Sequence, residues 1–243
     1  DSHDSDSDYD SSSDEYEQCA RNLPYCWLTE KAKSLLYSLL DAVDKDDVER
    51  VRDLIEQGAK INVSSYPERD HTPLTLASEN GHYDIVELLL ERGAAVNIPR
   101  IDNGAVMGPD PGLTPLMYAS LEGHADVVEL LLKNNADTEI TGSLFGDEGI
   151  DENQIEEDND MTALMYASAA GHVDVVKLLL EYNAEVDAVD EKHKTALMWA
   201  CSWQSAFYHG SSRTWEAVRR ARTESAERIV KLLLDHGAEI DKV

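Results

Sequence analysis

From Thr162 the chain reads TALMYASAAGHVDVVKLLL, and its apolar positions predict two helices joined by a turn. The first is short and reaches Ala169-Ala170. The second runs from about Val173 to Tyr182, with Val175, Val176, Leu178, Leu179 and Leu180 forming its apolar side. Gly171-His172 turns the chain between them. Thr162 is placed to cap the first helix, because its hydroxyl can accept a bond from an otherwise unpaired N–H. Asp174 lies in the first turn of the second helix, where the helix dipole favours a negative charge. Thr114 to Leu132 reads TPLMYASLEGHADVVELLL, nearly the same text, and Thr72 opens a further copy. In these two copies Pro stands at the first helical position, where its missing N–H costs nothing.

The copies keep a strict register. Thr72, Thr114, Thr162 and Thr195 each open a T-[PA]-L-x-x-A block and stand 42, 48 and 33 residues apart (the differences of their numbers). From each Thr to the first Leu of the following triplet (Leu88, Leu130, Leu178 and Leu232) the distance is 16, 16, 16 and 37 residues. The body of the unit is therefore constant, and the last unit carries 21 additional residues inside it, 204–224. After each second helix stands Gly58, Gly93, Asn135, Asn183 or Gly237. Only Gly and Asn occur there, as a left-handed C-terminal cap requires.

This pattern resembles the ankyrin-repeat family. The likeness is carried by Thr72-Pro73-Leu74 with Ala77, Gly81-His82, Ile85-Val86 with Leu88-Leu89-Leu90, Gly93-Ala94 with Val96-Asn97, and their copies. The final 33-residue spacing equals the family period. The implied fold is an all-α solenoid of helix-turn-helix units with extended finger loops between them. Its domain spans 29–243, with repeats at 72–97, 114–140, 162–187 and 195–241. A degenerate unit at 39–63 precedes these, ending in Gln57-Gly58-Ala59 with Ile61-Asn62. Before it, 29–43 has Leu35, Leu36, Leu39, Leu40 and Val43 at helical spacing and is expected to cap the stack. Two departures stand out. The family often has His after T-P-L, where this chain has Thr75, Met117, Met165 and Met198, and the last unit has Gln204 where Gly would stand.

The resemblance also implies where a partner is read: at the finger tips and on the short helix just before Gly-His. Those positions are His71, Glu79 and Asn80; Leu113, Leu121 and Glu122; Met161, Ala169 and Ala170; Lys194, Ser202 and Trp203.

Composition changes the picture in three places. The 243 residues carry a formal net charge of -28, which argues against nucleic acid and against an anionic membrane surface. Residues 1–28 begin as DSHDSDSDYDSSSDEYEQ, which is read as a disordered acidic tail. It is either simply solvated or a tract of serines for an acidophilic kinase. Residues 144–160 extend one finger with another acidic run, predicted to form a protruding β-hairpin on the family's pattern or a solvated loop. The Asp-rich spacing of a calcium loop is absent there. Residues 203–224 are the reverse, bringing Trp203, Phe207, Tyr208 and Trp215 together with Arg213, Arg219, Arg220 and Arg222. With no Gly or Pro from Thr214 until Gly237, the second helix of this unit is expected to extend back toward Thr214. Two accounts of the segment stand side by side: a dock for an acidic partner or for the chain's own tail, through Arg219, Arg220 and Arg222, and an aromatic plug over a local core.

No catalytic constellation, phosphate loop or metal motif is visible, and no cofactor is called for. His82, His124 and His172 recur because the unit recurs, and Cys201 shares a small-residue position with Ser78, Ser120 and Ser168, so burial is expected for it. Three cysteines in no zinc spacing suit reduced thiols inside the cell, in cytoplasm or nucleus. No apolar run is long enough to span a bilayer. The expectation is a non-catalytic interaction scaffold or adaptor, a piece of a longer protein, whose partner is a protein that is basic where it meets the fingers. No nucleic acid, membrane insertion or small-molecule substrate is expected. The alternative is a cis-acting regulatory domain of a larger enzyme or ion channel, or the substrate-recognition subunit of a ubiquitin ligase.

Overall fold

A computed structural model describes residues 28–64, 71–99, 112–142, 160–202 and 215–240. Among these are ten helices: α1 Glu30–Asp44, α2 Val48–Glu56, α3 Pro73–Glu79, α4 Tyr83–Glu91, α5 Pro115–Glu122, α6 Ala125–Lys133, α7 Ala163–Ala170, α8 Val173–Glu181, α9 Ala196–Ser202 and α10 Trp215–Asp235. Consecutive helices pack as pairs. The odd-numbered helices stack in one layer and the even-numbered helices in a second. This is the all-α solenoid that the repeated text predicts.

Each unit starts as its threonine dictates. The Oγ1 atoms of Thr72, Thr114 and Thr162 accept the N–H of Thr75, Met117 and Met165 at 3.2, 3.3 and 3.4 Å. Thr195 does the same for Met198 at 3.4 Å. The short helices lie between their own second helix and both neighbours, so almost every residue is buried: Pro73 to Ser78 in α3, Pro115 to Ser120 in α5, Ala163 to Ala169 in α7. The outer helices bury one face only. In α4 that face is Ile85, Val86, Leu88 and Leu89, while Asp84, Glu87 and Glu91 meet solvent. Of the Met residues that replace the family's histidine, Met117 and Met165 are core, each 1% exposed, and Met198 in the last unit is half-buried.

The predicted left-handed caps all form, with φ of +91, +85, +63, +63 and +93° at Gly58, Gly93, Asn135, Asn183 and Gly237. The alanine that follows each one (Ala59, Ala94, Ala136, Ala184, Ala238) donates its N–H five residues back, to Leu54, Leu89, Leu131, Leu179 and Leu233, at 2.9 to 3.0 Å. The motif closes the helix on its own last turn and drops the alanine methyl into the core.

Two expectations need revision. The capping helix and the first unit are not successive elements, because α1 is itself the leading helix of the first pair: it packs on α2 and stacks on α3. Cys201 is exposed, not buried like Ser78, Ser120 and Ser168. It lies on α9, the last helix of the inner layer, and no described helix stacks on its outer side. The extended last helix is as expected: α10 has 21 residues against nine in α8 and begins at Trp215.

Candidate protein-recognition rim

Two sets of hydrogen bonds tie each unit to the next and fix the rim. The first runs along the turn edge. His124 Nε2 lies 2.9 Å from the Glu79 carbonyl oxygen, and His172 Nε2 lies 2.9 Å from that of Leu121. A carbonyl only accepts, so Nε2 carries the proton in both rings. The imidazole lies flat against the preceding turn. A Cβ added at Gly81 would stand 2.6 Å from the His124 ring, and one at Gly123 would stand 2.5 Å from the His172 ring. The Gly-His pair is thus a contact between units, with Gly of one receiving His of the next. His82 has no such glycine before it. Asp46, at φ +55°, occupies the corresponding turn, and His82 Nδ1 sits 3.5 Å from its carboxylate.

The second set runs along the opposite edge, at the bases of the fingers. Asn62 Oδ1 accepts Ala95 N–H at 2.9 Å, Asn97 Oδ1 accepts Asp137 N–H at 3.0 Å, Glu139 Oε1 accepts Glu185 N–H at 3.0 Å and Asp187 Oδ1 accepts Glu239 N–H at 3.0 Å. One position of the repeat, held by Asn, Asn, Glu and Asp, builds a side-chain ladder down the whole stack. The sequence signal is a polar residue after a conserved-length helix, as in Ile61-Asn62, Val96-Asn97 and Val186-Asp187. It escapes notice because the four residues differ and share only an acceptor oxygen.

The long acidic finger is closed at its root by an antiparallel bridge. Gly142 N–H donates to Met161 O at 3.2 Å and Met161 N–H donates to Gly142 O at 3.1 Å, while Tyr166 Oη donates to Gly142 O at 2.9 Å. The β-hairpin expected beyond this root lies outside the described residues. The short connection before α9 is organised by one buried carboxylate. Asp190 Oδ1 accepts Lys192 and Lys194 N–H at 2.9 and 2.7 Å, and Oδ2 accepts Trp199 Nε1–H at 3.0 Å. Lys194 Nζ then sits 4.5 Å from the centre of the Trp199 ring, a cation–π contact.

The candidate residues divide under this geometry. Asn80, Glu122 and Ser202 are exposed, and Glu79, Leu121, Ala170 and Lys194 are half-buried. His71 is half-buried, its Nδ1 3.5 Å from Glu79 Oε2 and its ring 5.4 Å from that of Tyr118. Leu113, Met161 and Ala169 are turned inward, 1%, 6% and 6% exposed. Their side chains are buried and present little surface to a partner. Trp203 lies outside the described residues. Arg219, Arg220 and Arg222 have helical backbone within α10. Among the described residues no group of three or more His, Cys, Asp or Glu is placed to hold a metal ion, and no helix is long and apolar enough to cross a membrane.

A family model described as ankyrin repeats, in three copies, matches residues 39–142 and 139–243, and the chain belongs to the ankyrin-repeat family. It is similar to human ankyrin repeat and KH domain-containing protein 1, 37% identical over 68 residues, which are 28% of this chain and 3% of that protein. The ankyrin repeat and KH domain-containing protein mask of Drosophila melanogaster is 38% identical over 68 residues, 28% of this chain and 2% of its own. A putative ankyrin repeat protein of Fowlpox virus (strain NVSL) is 38% identical over 64 residues, 26% of this chain and 15% of its own. The matched stretch is a small part of each relative's length. Ankyrin repeats are in general non-enzymatic modules that bind other proteins.

Proposed function

We propose that this chain is a non-catalytic scaffold or adaptor that reads a protein partner along the inner-layer rim, inside the cell. One observation carries the proposal. The frame of the unit repeats nearly residue for residue, yet the rim does not. The texts of successive units carry Glu79, Leu121, Ala169 and Ser202 at one position and Asn80, Glu122, Ala170 and Trp203 at the next, and of these Asn80, Glu122 and Ser202 are exposed. Different side chains on an invariant, strapped frame are what a surface needs to recognise a particular sequence of groups on a partner. The acidic run Asp147 to Asp160 and the net charge of -28 point to a partner that is basic on the finger side.

The test is affinity capture with the native chain and with a triple variant Asn80→Arg, Leu121→Arg, Glu122→Arg. Asn80 and Glu122 are exposed and Leu121 is half-buried against the edge of the core, so helical circular dichroism of the variant is recorded first and is expected to keep the native helix content. A partner captured by the native chain should be lost with the variant, and its association should slow as salt screens the fingers to ~8 Å. A partner retained equally by both proteins refutes the rim as the reading surface.

A further inference from the structure

The turn that closes α3 is Asn80-Gly81, where α5 has Glu122-Gly123 and α7 has Ala170-Gly171. An asparagine side chain can close a ring on the next backbone nitrogen, and glycine favours this because it has no side chain to block the approach. Two local conditions decide whether the ring forms: the carboxamide must be free, and so must the next N–H. Asn80 meets both. Its side chain is exposed and makes no hydrogen bond among the described residues. In α5 and α7 the turn glycine donates its N–H four residues back, to the carbonyls of Ala119 and Ala167. α3 ends one residue sooner. Its last such bond is Asn80 N–H to the Leu76 carbonyl at 3.1 Å, and Gly81 N–H is left out of the series. The other described asparagines each fail a condition. The carboxamides of Asn62, Asn97 and Asn134 are hydrogen-bonded. After Asn135 and Asn183 the next N–H, that of Ala136 and Ala184, is held by the Leu131 and Leu179 carbonyls at 3.0 Å.

We propose that Asn80-Gly81 is a site of spontaneous deamidation, and that its isoaspartyl product is a substrate for the class of methyltransferase that acts on isoaspartate. The Gly81 nitrogen attacks Asn80 Cγ. A new N–C bond forms as the Cγ–Nδ2 bond breaks, and Nδ2 leaves as ammonia carrying the Gly81 proton. Water then opens the cyclic imide. Opening at Cγ gives aspartate, and opening at the main-chain carbonyl carbon gives isoaspartate. Nothing is oxidised or reduced. Ring closure requires ψ of Asn80 to leave its helical value of -7° and the Leu76 bond to break, so the step proceeds through fraying of the last turn of α3. The next unit opposes that fraying, because the His124 ring lies against Gly81 and its Nε2 is bonded to the Glu79 carbonyl at 2.9 Å. The product acts on the same contact. Isoaspartate adds a methylene to the backbone beside Gly81, where even a Cβ would stand 2.6 Å from the His124 ring, so the strap between α3–α4 and α5–α6 loosens. Either product also places a carboxylate beside Glu79.

The experiment holds the full 243-residue chain at neutral pH and physiological temperature. Peptide mapping follows each asparagine, and isoaspartate is scored by methyltransferase labelling. Asn80 is expected to convert at least about ten-fold faster than Asn62, Asn97, Asn134, Asn135 and Asn183, since no bond other than the frayed turn protects it. Asn80→Gln should remove the isoaspartate label from this peptide. His124→Ala should speed conversion at Asn80 at least about three-fold by freeing the turn, and leave Asn103-Gly104, which lies outside the described residues, at its native rate. The isoaspartyl form, separated by ion exchange, should show faster amide exchange in α3 to α6 than Asn80→Asp, which carries the charge without the added methylene. Conversion of Asn80 no faster than that of the bonded asparagines overturns the proposal. A rate at Asn80 indifferent to His124→Ala overturns the part given to the strap. The measurement uses the chain alone, so its outcome is separate from that of the capture experiment.

Discussion

The strap between units can be weighed with two glycines. Gly123 and Gly171 are both C-caps of short helices, with φ of +84 and +82°. Alanine at either position must hold a left-handed backbone, at a cost of about 1–2 kcal/mol. They differ in what the new methyl meets. At Gly123 it stands 2.5 Å from Cε1 and Nδ1 of His172 and 2.8 Å from Cγ, so the ring must move and its bond to the Leu121 carbonyl is lost. At Gly171 the nearest atom is Ser225 Cβ at 3.9 Å, an ordinary contact. Losing one hydrogen bond contributes roughly 0.5–1.5 kcal/mol, so Gly123→Ala should cost about 2–3 kcal/mol and Gly171→Ala about 1–2. With a urea slope near 2 kcal/mol per molar, the two midpoints should differ by about half a molar. The assay is urea denaturation followed by circular dichroism, with amide exchange to show that the loss is centred on α5 to α8. His172→Ala completes the cycle: it should be costly in the native chain and nearly silent beside Gly123→Ala. Equal losses from the two glycine variants, or an unchanged cost of His172→Ala in both backgrounds, refute the strap.

Other expectations follow from the same geometry. Asn97→Ala should cost about 0.5–1.5 kcal/mol and speed amide exchange at Asp137, whereas Asn97→Asp should be close to neutral because Asp187 does the same work two units on. Ser120 Oγ is buried with no hydrogen-bond partner among the described residues, so Ser120→Ala should be neutral or raise the melting temperature. Leu89→Ala, at 0% exposure, should cost ~2–5 kcal/mol, and Leu234→Ala, at 40%, well under half of that in the same denaturation assay. Lys133 titrates above the ordinary lysine range because Glu129 accepts its hydrogen bond at 2.6 Å. The pairing is complete below the unfolded lysine pKa and fades as pH rises through the higher folded one. Glu129→Gln should lower the Lys133 pKa seen by NMR and leave the melting temperature unmoved, since the amine is solvated.

What the sequence made legible was the part of the structure written in repeated letters. Thr72, Thr114 and Thr162 announce the caps, the Gly and Asn residues announce the left-handed turns, and the Leu triplets give the buried side of the outer helices. Contacts between units were legible only where the same residue recurs on both sides. Gly81 and His124 recur as text but meet across 43 residues, a distance that no helical period reports. The ladder was hidden for a different reason: Asn62, Asn97, Glu139 and Asp187 share a function and not a residue type. Among the candidate rim residues, Leu113, Met161 and Ala169 could not be told from their exposed neighbours, because their burial is set by how the chain packs and not by the text of one unit.

The last unit brings these threads together. Its insert falls at the turn where Gly-His stands in three other units, and so removes the residue that would have strapped α9–α10 to α7–α8. In the register set by Leu178 and Leu232, the place of His172 is taken by Ala226, with Ser225 beside it against Gly171. The polar strap is thereby exchanged for a continuous helix: α10 passes the point where α8 begins and runs on for 12 residues, about 18 Å at 1.5 Å per residue. α8 and α10 still pack on each other, and Ile229 and Leu233 of α10 are both 0% exposed, so the unit stays in the stack without its histidine. A histidine strap can be dispensed with only where another element fills its place. Shortening α10 to begin at Glu227 should therefore loosen the last unit. It would leave Gly171 uncovered and the last unit held to its neighbour by the stacking of α9 on α7, the outer-helix face and the Asp187 ladder bond. The expected result is amide exchange in α9 and α10 at least about ten-fold faster, with α3 to α6 unchanged. Equal protection of α9 in the shortened and native chains would show that the overhang contributes nothing to the stack.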